Sequence, residues 1–160
     1  MISGAQLRIL SQCLTPLDPK QVGDVSIDVT LGNDIWTQND RMSMSIIDLS
    51  KHPKREDLYD QRIMTSDEGY LLMPGEFLLG SLAEYIVVPY NVCAMFSLRS
   101  KIAQAGLEHS TSVWARPGWE GRLILELTNI TRSCMRIAPG LLIGQFHFFE
   151  VTDAALERSQ

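Results

Sequence analysis

The sequence has 160 residues, of which 45% are hydrophobic and 21% are charged, and its formal net charge is −5. This length and composition are typical of one globular domain, so we interpret residues 1–160 as a single domain. The negative charge excludes the broad basic surface with which proteins bind duplex nucleic acid, so we expect no nucleic-acid partner. No apolar run has the length of a membrane span, so we expect no membrane partner.

The cysteine pattern favours a reducing compartment. Cys13, Cys93 and Cys134 are widely spaced and form neither a CxxC motif nor an even-numbered framework. The N-terminus lacks a basic segment followed by an apolar core, so no signal peptide is expected. We therefore predict the cytoplasm, or the host cytoplasm if the protein is viral.

The first half of the chain predicts one helix followed by short strands. Leu7, Leu10 and Leu14 recur at helical spacing and predict a helix over Ser3–Leu14. Val25–Leu31 alternates apolar and polar residues, which predicts a strand. Further elements are predicted as a turn at 32–34, strands at Ile35–Thr37 and Met44–Leu49, and a charged surface loop at Lys51–Asp60.

The second half continues with short apolar segments that Gly and Pro residues separate. Predicted strands lie at Gly69–Met73, Phe77–Val88, Val92–Leu98, Arg122–Thr128, Met135–Ile137 and Leu142–Val151. Many short strands with few helices predict a mainly β fold, either a distorted β-barrel or a jelly roll. The polar segment Thr152–Gln160 is interpreted as a short tail.

The most informative stretch runs from Leu98 to Asn129. A short helix is predicted over Ser100–Ala105, with Ser100 at its N-cap and Gly106 in the left-handed conformation after its end. Free backbone N–H groups at a helix start attract anions, and Arg99 and Lys101 add positive charge there. The stretch therefore predicts a phosphate site.

Glu126 lies within the apolar strand that follows. Leu125 and Leu127 flank it, so alternation places the carboxylate on the opposite face from these two leucines. On a solvated face Glu126 would be an ordinary surface residue. On a face that lines a cleft it would be a candidate general base.

Several catalytic motifs are absent from the sequence. A zinc nucleobase deaminase needs His-x-Glu followed by Pro-Cys-x-x-Cys, and neither half occurs. His52, His109 and His147 share no metal-ligand spacing. A nucleophile pair of His109 with Ser110 or Ser112 is disfavoured, because neighbouring residues of an extended segment point to opposite faces.

Eight short motifs occur in an order that resembles the deoxycytidine triphosphate deaminases of the trimeric dUTPase-like superfamily. Each motif is weak alone, and together they cover about residues 3–150. They are Ser26–Asn33, Ile47–Ser50, Met73–Glu76, Arg99–Ala103, His109–Thr111, Pro117–Gly121, Leu125–Asn129 and Pro139–Gln145.

The resemblance implies a zinc-independent deaminase. In this family a strand glutamate, here Glu126, takes a proton from the water that attacks C4 of cytosine and passes it to the departing ammonia. The resemblance makes Ser100 and the backbone near Thr111 and Ser112 the groups that position the water and the base. The expected substrate is dCTP or dCMP, or a 5-substituted relative, and the product is the deoxyuridine nucleotide.

The same resemblance implies the phosphate contacts and the assembly. Arg99, Ser100, Lys101 and Gln104 correspond to the phosphate-binding helix motif, and Gln145 corresponds to a glutamine that contacts the nucleotide. We expect Mg²⁺ to be bound through the nucleotide phosphates. A homotrimer, or a multiple of it, is expected, with each active site between two subunits.

Three departures from the family pattern bear on the substrate. Family members usually read Arg-Ser-Ser-Leu-Ala/Gly-Arg, where this chain has Lys101 and Gln104, and they carry Asp at the position of Arg116. A cation in place of an acceptor must change the sugar or phosphate contacts. The family's C-terminal segment that covers the triphosphate has no counterpart in the residues up to Gln160.

Two alternatives remain open. A dUTPase would cleave the phosphate chain, but it needs an Asp for the attacking water and a Gly-rich arm, which Arg116 and the short tail disfavour. A non-catalytic nucleotide-binding regulator of the same fold is the other alternative. Retention of Glu126 and Ser100 favours the enzyme, whereas Gln104 and Arg116 keep the regulator open.

Overall fold

The computed structural model describes residues 1–39, 46–110 and 113–151. Regular structure in these ranges is mainly β, as predicted, and no helix in them has the length and apolarity to cross a membrane. The α-helices of these ranges are short: α1 Gly4–Leu10, α2 Arg55–Leu58 and α3 Ser100–Gln104, with 3-10 turns at Ser11–Cys13, Pro19–Gln21 and Leu49–Lys51. The strands are β1 Leu14–Thr15, β2 Ile27–Gln38, β3 Tyr59–Ile63, β4 Tyr70–Leu72, β5 Phe77–Leu82, β6 Tyr85–Val87, β7 Val92–Leu98, β8 Leu107–His109, β9 Trp114–Ala115, β10 Glu120–Gly121, β11 Ile124–Asn129, β12 Met135–Ile137 and β13 Leu142–Glu150.

One large antiparallel sheet dominates the described ranges. Its strands follow the order β8-β11-β5-β2-β13-β7-β9, and β3 also pairs with β2. The first part of β2 pairs with β13, and its second part pairs with β5 and β3. This change of partner curls the sheet, as a distorted barrel requires. Two smaller sheets, β1-β6-β10 and β4-β12, complete the pairing.

The turn predicted at residues 32–34 is wrong, because β2 runs through it without a break. The register of β2 against β5 shifts between Leu31 and Ile35, so the extra residues form an irregularity within a strand. A Cβ atom on Gly32 would lie 2.9 Å from the backbone oxygen of Ser81. Glycine is therefore needed there for close approach of two backbones rather than for a turn.

Two segments between β2 and β4 also differ from the prediction. Within the predicted strand Met44–Leu49, residues 44–45 lie outside the described residues and 46–48 have no regular structure. The Asp48 carboxylate accepts a hydrogen bond from the Ser50 backbone N–H, which stabilises a 3-10 turn instead. The predicted loop Lys51–Asp60 contains α2 and the first residues of β3.

Two long predicted elements are divided in the structure. The predicted helix Ser3–Leu14 ends at Leu10 and continues as a 3-10 turn and the short strand β1. The predicted strand Phe77–Val88 breaks between β5 and β6, where Glu84 is 2% exposed. The Glu84 carboxylate accepts hydrogen bonds from the backbone N–H of Thr30 and from the side-chain amide of Gln21. This buried anchor explains why the apolar run does not continue as one strand.

The apolar core lies on one face of the curled sheet. Alternate residues of β2, Ile27, Val29 and Leu31, are fully buried, as their alternation predicts. The aromatic rings of Phe96 on β7 and Phe146 on β13 pack edge to face, with centroids 5.9 Å apart. The opposite faces of β7 and β13 carry the polar side chains of the site.

Candidate active site

Glu126 lies in the middle of β11, between β5 and β8. Its neighbours Leu125 and Leu127 are fully buried, whereas the Glu126 side chain is 27% exposed. Alternation thus places the carboxylate on the face away from the core, as the sequence predicts. Its Oε2 atom is nevertheless buried and has no hydrogen-bond partner in the described chain. Such an atom loses water without a compensating bond unless a further group binds it.

His109 is the residue next to this carboxylate. Its Nδ1 atom lies 3.5 Å from Oε2 of Glu126 and 3.2 Å from the backbone oxygen of Glu126. The pairing of β8 with β11 brings the two residues close, with Leu127 opposite His109 and Glu126 one position away in the register. From the sequence, His109 is considered as a metal ligand, as a partner for nearby serines and as part of a family motif, and its contact with Glu126 is not predicted. Only the strand pairing could have revealed it.

The residues predicted to bind phosphate lie at the start of α3. Arg99, not Ser100, is the N-cap residue, and its side chain makes no capping bond, so the predicted capping role of Ser100 is wrong. Ser100 is the first helical residue, and it is exposed together with Lys101 and Gln104. The left-handed conformation predicted for Gly106 is confirmed, since its φ is +88°.

Arg99 is held by a carboxylate that the sequence analysis does not identify. Its Nη1 atom donates to Oδ2 of Asp28 at 2.8 Å, and both side chains are partly buried. Asp28 lies on β2 opposite Gln145 of β13, on the same face of the sheet. The pair therefore fixes the direction of a guanidinium that still has further N–H donors for an anion.

Gln145 belongs to a row of polar side chains on β13, on β7 and at the residue just before β2. Its Oε1 accepts from the Ser26 hydroxyl at 3.0 Å, and its Nε2 donates to Ser97 Oγ at 3.4 Å. The Ser97 hydroxyl lies 3.3 Å from Nε2 of His147. Gln145 is thus oriented by neighbours within the chain, next to the Asp28–Arg99 pair in the sheet.

The other predicted site residues fall into two groups. Arg116 is exposed just before the turn at Pro117 and Gly118, where Gly118 has a φ of +75°. Thr111 and Ser112 lie outside the described residues. Among the described residues, the Arg116 side chain makes no hydrogen bond or ion pair with another predicted site residue. The roles expected of Thr111 and Ser112 stay predictions.

A cavity of about 440 Å³ lies between β7, α3 and β8. It is lined by residues that include Ser97 and His109, so it lies between the polar row and the neighbourhood of Glu126. A larger cavity of about 710 Å³ lies beside α1 and contains none of the predicted site residues. The smaller cavity is likewise lined by none of the predicted site residues that the structure describes, and its relation to the site is through Ser97 and His109, the neighbours of Gln145 and Glu126.

Within the described ranges, the site residues form two separate groups. The contacts of Glu126 are with His109, and those of Arg99 are with Asp28. The two groups are the carboxylate that the sequence predicts as a general base and the cations at a helix start that it predicts as an anion site. The class of protein indicated is therefore a mainly β enzyme that acts on a phosphorylated small molecule.

Comparison with known proteins identifies the fold and the family. The structure is similar to 2′-deoxycytidine 5′-triphosphate deaminase from Agrobacterium tumefaciens, with a TM-score of 0.70 and 19% identity. The match covers 92% of this chain but 47% of that one, so the chain spans about half its length, and the match shows the fold alone. It confirms the predicted fold class.

The family model for dCTP deaminase-like proteins matches residues 3–151, and the chain belongs to this family. A dCTP deaminase described as dUMP-forming, from Bifidobacterium adolescentis, is 34% identical over 143 residues. That match covers 89% of this chain and 72% of the relative. A protein of the same description from Persephonella marina is 31% identical over 144 residues, covering 89% and 77% of the two chains. The predicted enzyme class is thus confirmed at the level of the family.

Proposed function

We propose that this protein is a hydrolytic deaminase of a deoxycytidine nucleotide, either dCTP or dCMP. Its products would be the corresponding deoxyuridine nucleotide and ammonia. The observation that carries the proposal is the buried Oε2 atom of Glu126, which has no hydrogen-bond partner in the described chain. A carboxylate oxygen held without a donor is suited to accept a proton from a bound water. Family membership and the names of the relatives support this substrate class.

The reaction would proceed by addition and elimination at C4 of the cytosine ring. Glu126 takes one proton from water as the water oxygen bonds to C4, and it passes this proton to ring N3 in the adduct. Glu126 then takes the second proton from the C4 hydroxyl and gives it to N4 as the C4–N4 bond breaks, so that the C4 carbonyl forms and ammonia leaves. We assign to Ser100, Thr111 and Ser112 the positioning of the water and the base, as the family resemblance implies. These steps need no zinc ion.

The phosphates would bind at the start of α3. Arg99 is already directed by Asp28, and the exposed Lys101 adds a second positive charge nearby. Gln104 can donate a hydrogen bond but carries no charge, so it is a weaker phosphate ligand than an arginine. Arg116 is a third cation that could reach the phosphates, and Gln145 would contact the nucleoside.

Magnesium would arrive with the substrate. The described residues contain no group of three His, Cys, Asp or Glu side chains that could hold a metal ion. Mg²⁺ is commonly bound by phosphate oxygens and water, with few protein ligands. We therefore assign Mg²⁺ to the nucleotide phosphates, where it would neutralise part of their charge.

We propose a homotrimer, or a multiple of it, with Glu126 and the α3 group of different copies meeting in one site. Among the described residues, no hydrogen bond or ion pair joins the two groups, which is what a site shared between copies would require. From the sequence, the apolar segments Phe77–Val88 and Leu142–Val151 are expected to supply strands to the subunit interface. Their strands β5 and β13 are interior in the sheet, so they would contribute through a face rather than through an edge. The Trp114 side chain is a further exposed apolar group; it is 55% exposed, and its ring centroid lies 5.8 Å from that of Phe149. Light scattering of an active sample should give the mass of three chains or a multiple, and an active monomer would contradict the proposal.

The first test is a nucleotide panel with separate detection of ammonia and pyrophosphate. Ammonia release from a deoxycytidine nucleotide supports deamination, and its absence refutes it. Because the relatives are described as dUMP-forming, pyrophosphate release after deamination is the second activity to measure. Pyrophosphate from dUTP without ammonia from dCTP would indicate a dUTPase, and binding without either product would indicate a regulator.

The second test is Glu126→Gln, which keeps the shape but cannot accept a proton. Loss of a general base lowers rates by about 10²–10⁴, so turnover should collapse while nucleotide binding persists. Glu120→Gln, at an exposed position on β10, is the matched control. Near-normal deamination by the Glu126 variant would remove it from the role.

The third test concerns the phosphate requirement. Because Gln104 is uncharged, we expect kcat/KM for dCMP to lie within about two powers of ten of kcat/KM for dCTP, a difference of roughly 3 kcal/mol. Arg116→Asp should shift the preference between the two nucleotides. Inert dCMP at millimolar concentration would show that residues not identified here bind the terminal phosphates.

A further inference from the structure

His109 is almost completely buried and has one ring nitrogen without a partner. Its side chain is 3% exposed, and its Nε2 atom makes no hydrogen bond in the described chain. A buried polar atom without a partner destabilises a fold by about 1–3 kcal/mol. If His109 served packing alone, an apolar residue at this position would stabilise the fold more. The position of His109 therefore needs a reason beyond the core.

The contacts of the ring determine which nitrogen carries the proton. The backbone oxygen of Glu126 can only accept a hydrogen bond, and it lies 3.2 Å from Nδ1 of His109. This distance favours the tautomer with the proton on Nδ1. The ring also packs edge to face on Phe96, with centroids 5.2 Å apart and an interplanar angle of 84°. Strand pairing and Phe96 together hold the Nδ1–H group beside Glu126.

We infer that His109 is a positioning residue for the Glu126 carboxylate, an inference that rests on the general-base role proposed above. The Nδ1–H group faces both the backbone oxygen and Oε2 of Glu126, the latter at 3.5 Å. It thereby limits the rotation of the carboxylate, and Oε2 keeps a further lone pair with which it can accept a proton from the bound water. Catalytic hydrogen bonds are often long without substrate, and a shift of about half an ångström would close this one.

Two variants separate a positioning role from a packing role. His109→Asn keeps an N–H donor near the position of Nδ1, whereas His109→Leu keeps the volume and removes the donor. We expect the Leu variant to lose about 10–100-fold in kcat with KM changed less than about threefold, and the Asn variant to stay within about fivefold of the wild type. His52→Asn, at an exposed position, is the control and should leave both constants unchanged. Equal losses in the two His109 variants, or a loss carried by KM, would overturn the inference.

A measurement that does not depend on activity tests the contact itself. Nitrogen-15 spectra of the wild-type protein should show the His109 ring protonated on Nδ1, and Glu126→Gln should shift that resonance. Protonation on Nε2 alone, or spectra that Glu126→Gln leaves unchanged, would overturn the inference even if His109→Leu fails to fold. If the wild type releases no ammonia, the proposed function fails, and the spectra still decide whether His109 holds Glu126.

Discussion

The Asp28–Arg99 ion pair predicts a defined loss of nucleotide affinity when Asp28 is changed. The two side chains are 26% and 39% exposed, and their charged atoms lie 2.8 Å apart. Fully exposed pairs contribute about 0.2–1 kcal/mol, and removing one partner of a buried pair costs about 3–5 kcal/mol. A half-buried pair lies between these limits, at about 1–2 kcal/mol. Asp28→Ala should therefore raise KM for dCTP about 5–30-fold with little change in kcat.

A second effect of the same change acts in the opposite direction. Without Asp28, the guanidinium of Arg99 is no longer neutralised and attracts phosphate more strongly. At about 0.15 M salt the screening length is about 8 Å, which limits this gain for partly exposed charges. We therefore expect the loss of orientation to dominate under these conditions. Asp28→Asn keeps an oxygen acceptor and should change KM by less than about threefold.

The assay is steady-state ammonia release at 0.15 M salt, with KM and kcat determined separately for the two variants. A lower KM for Asp28→Ala would show that Asp28 weakens phosphate binding and would refute the positioning argument. Equal effects of Ala and Asn would show that the charge of Asp28 matters rather than its contact with Arg99.

Three further predictions concern stability and metal use. Glu84→Leu leaves the donors of Thr30 and Gln21 unpaired in a buried place, so urea unfolding should show a loss of about 3 kcal/mol, with a smaller loss for Glu84→Gln. Burial and the hydrogen bond to Glu76 raise the pKa of Tyr70 to about 12 from its ordinary value of 10. The stabilisation that this shift reflects is fully present below pH 10 and is lost as the pH rises to about 12; screening at the partly exposed hydroxyl limits it to about 1 kcal/mol. The difference in unfolding free energy between wild type and Tyr70→Phe should shrink across that range, and a constant difference would contradict the assignment. Exhaustive chelation followed by addition of Mg²⁺ alone should restore full deamination, and a requirement for added Zn²⁺ would refute the zinc-independent mechanism.

Much of the fold can be read from local pattern. Alternation in Val25–Leu31 and in the residues around Glu126 predicts strands and the face of each side chain, because side chains of a strand have period two. Gly106 predicts the end of α3, since few other residues adopt its φ of +88°. These features depend only on neighbours in the sequence.

The boundaries that the sequence misplaces depend on distant partners. Gly32 looks like part of a turn, but its role is the close approach of β2 to the backbone of Ser81. The apolar run Phe77–Val88 looks continuous, but the carboxylate of Glu84 ends it by binding donors from β2 and from the turn at Gln21. Local composition carries no information about either contact.

The candidate site divides in the same way. The residue types and spacing of Arg99, Lys101 and Glu126 indicate an anion site and a base from the sequence alone, and the family resemblance assigns their roles. The partners of two of these residues, Asp28 for Arg99 and His109 for Glu126, come from strand pairing across 71 and 17 positions of sequence. A hydrogen bond depends on atoms within a few ångströms, so only the tertiary structure, which brings these strands together, decides which side chains contact the proposed catalytic and phosphate-binding groups.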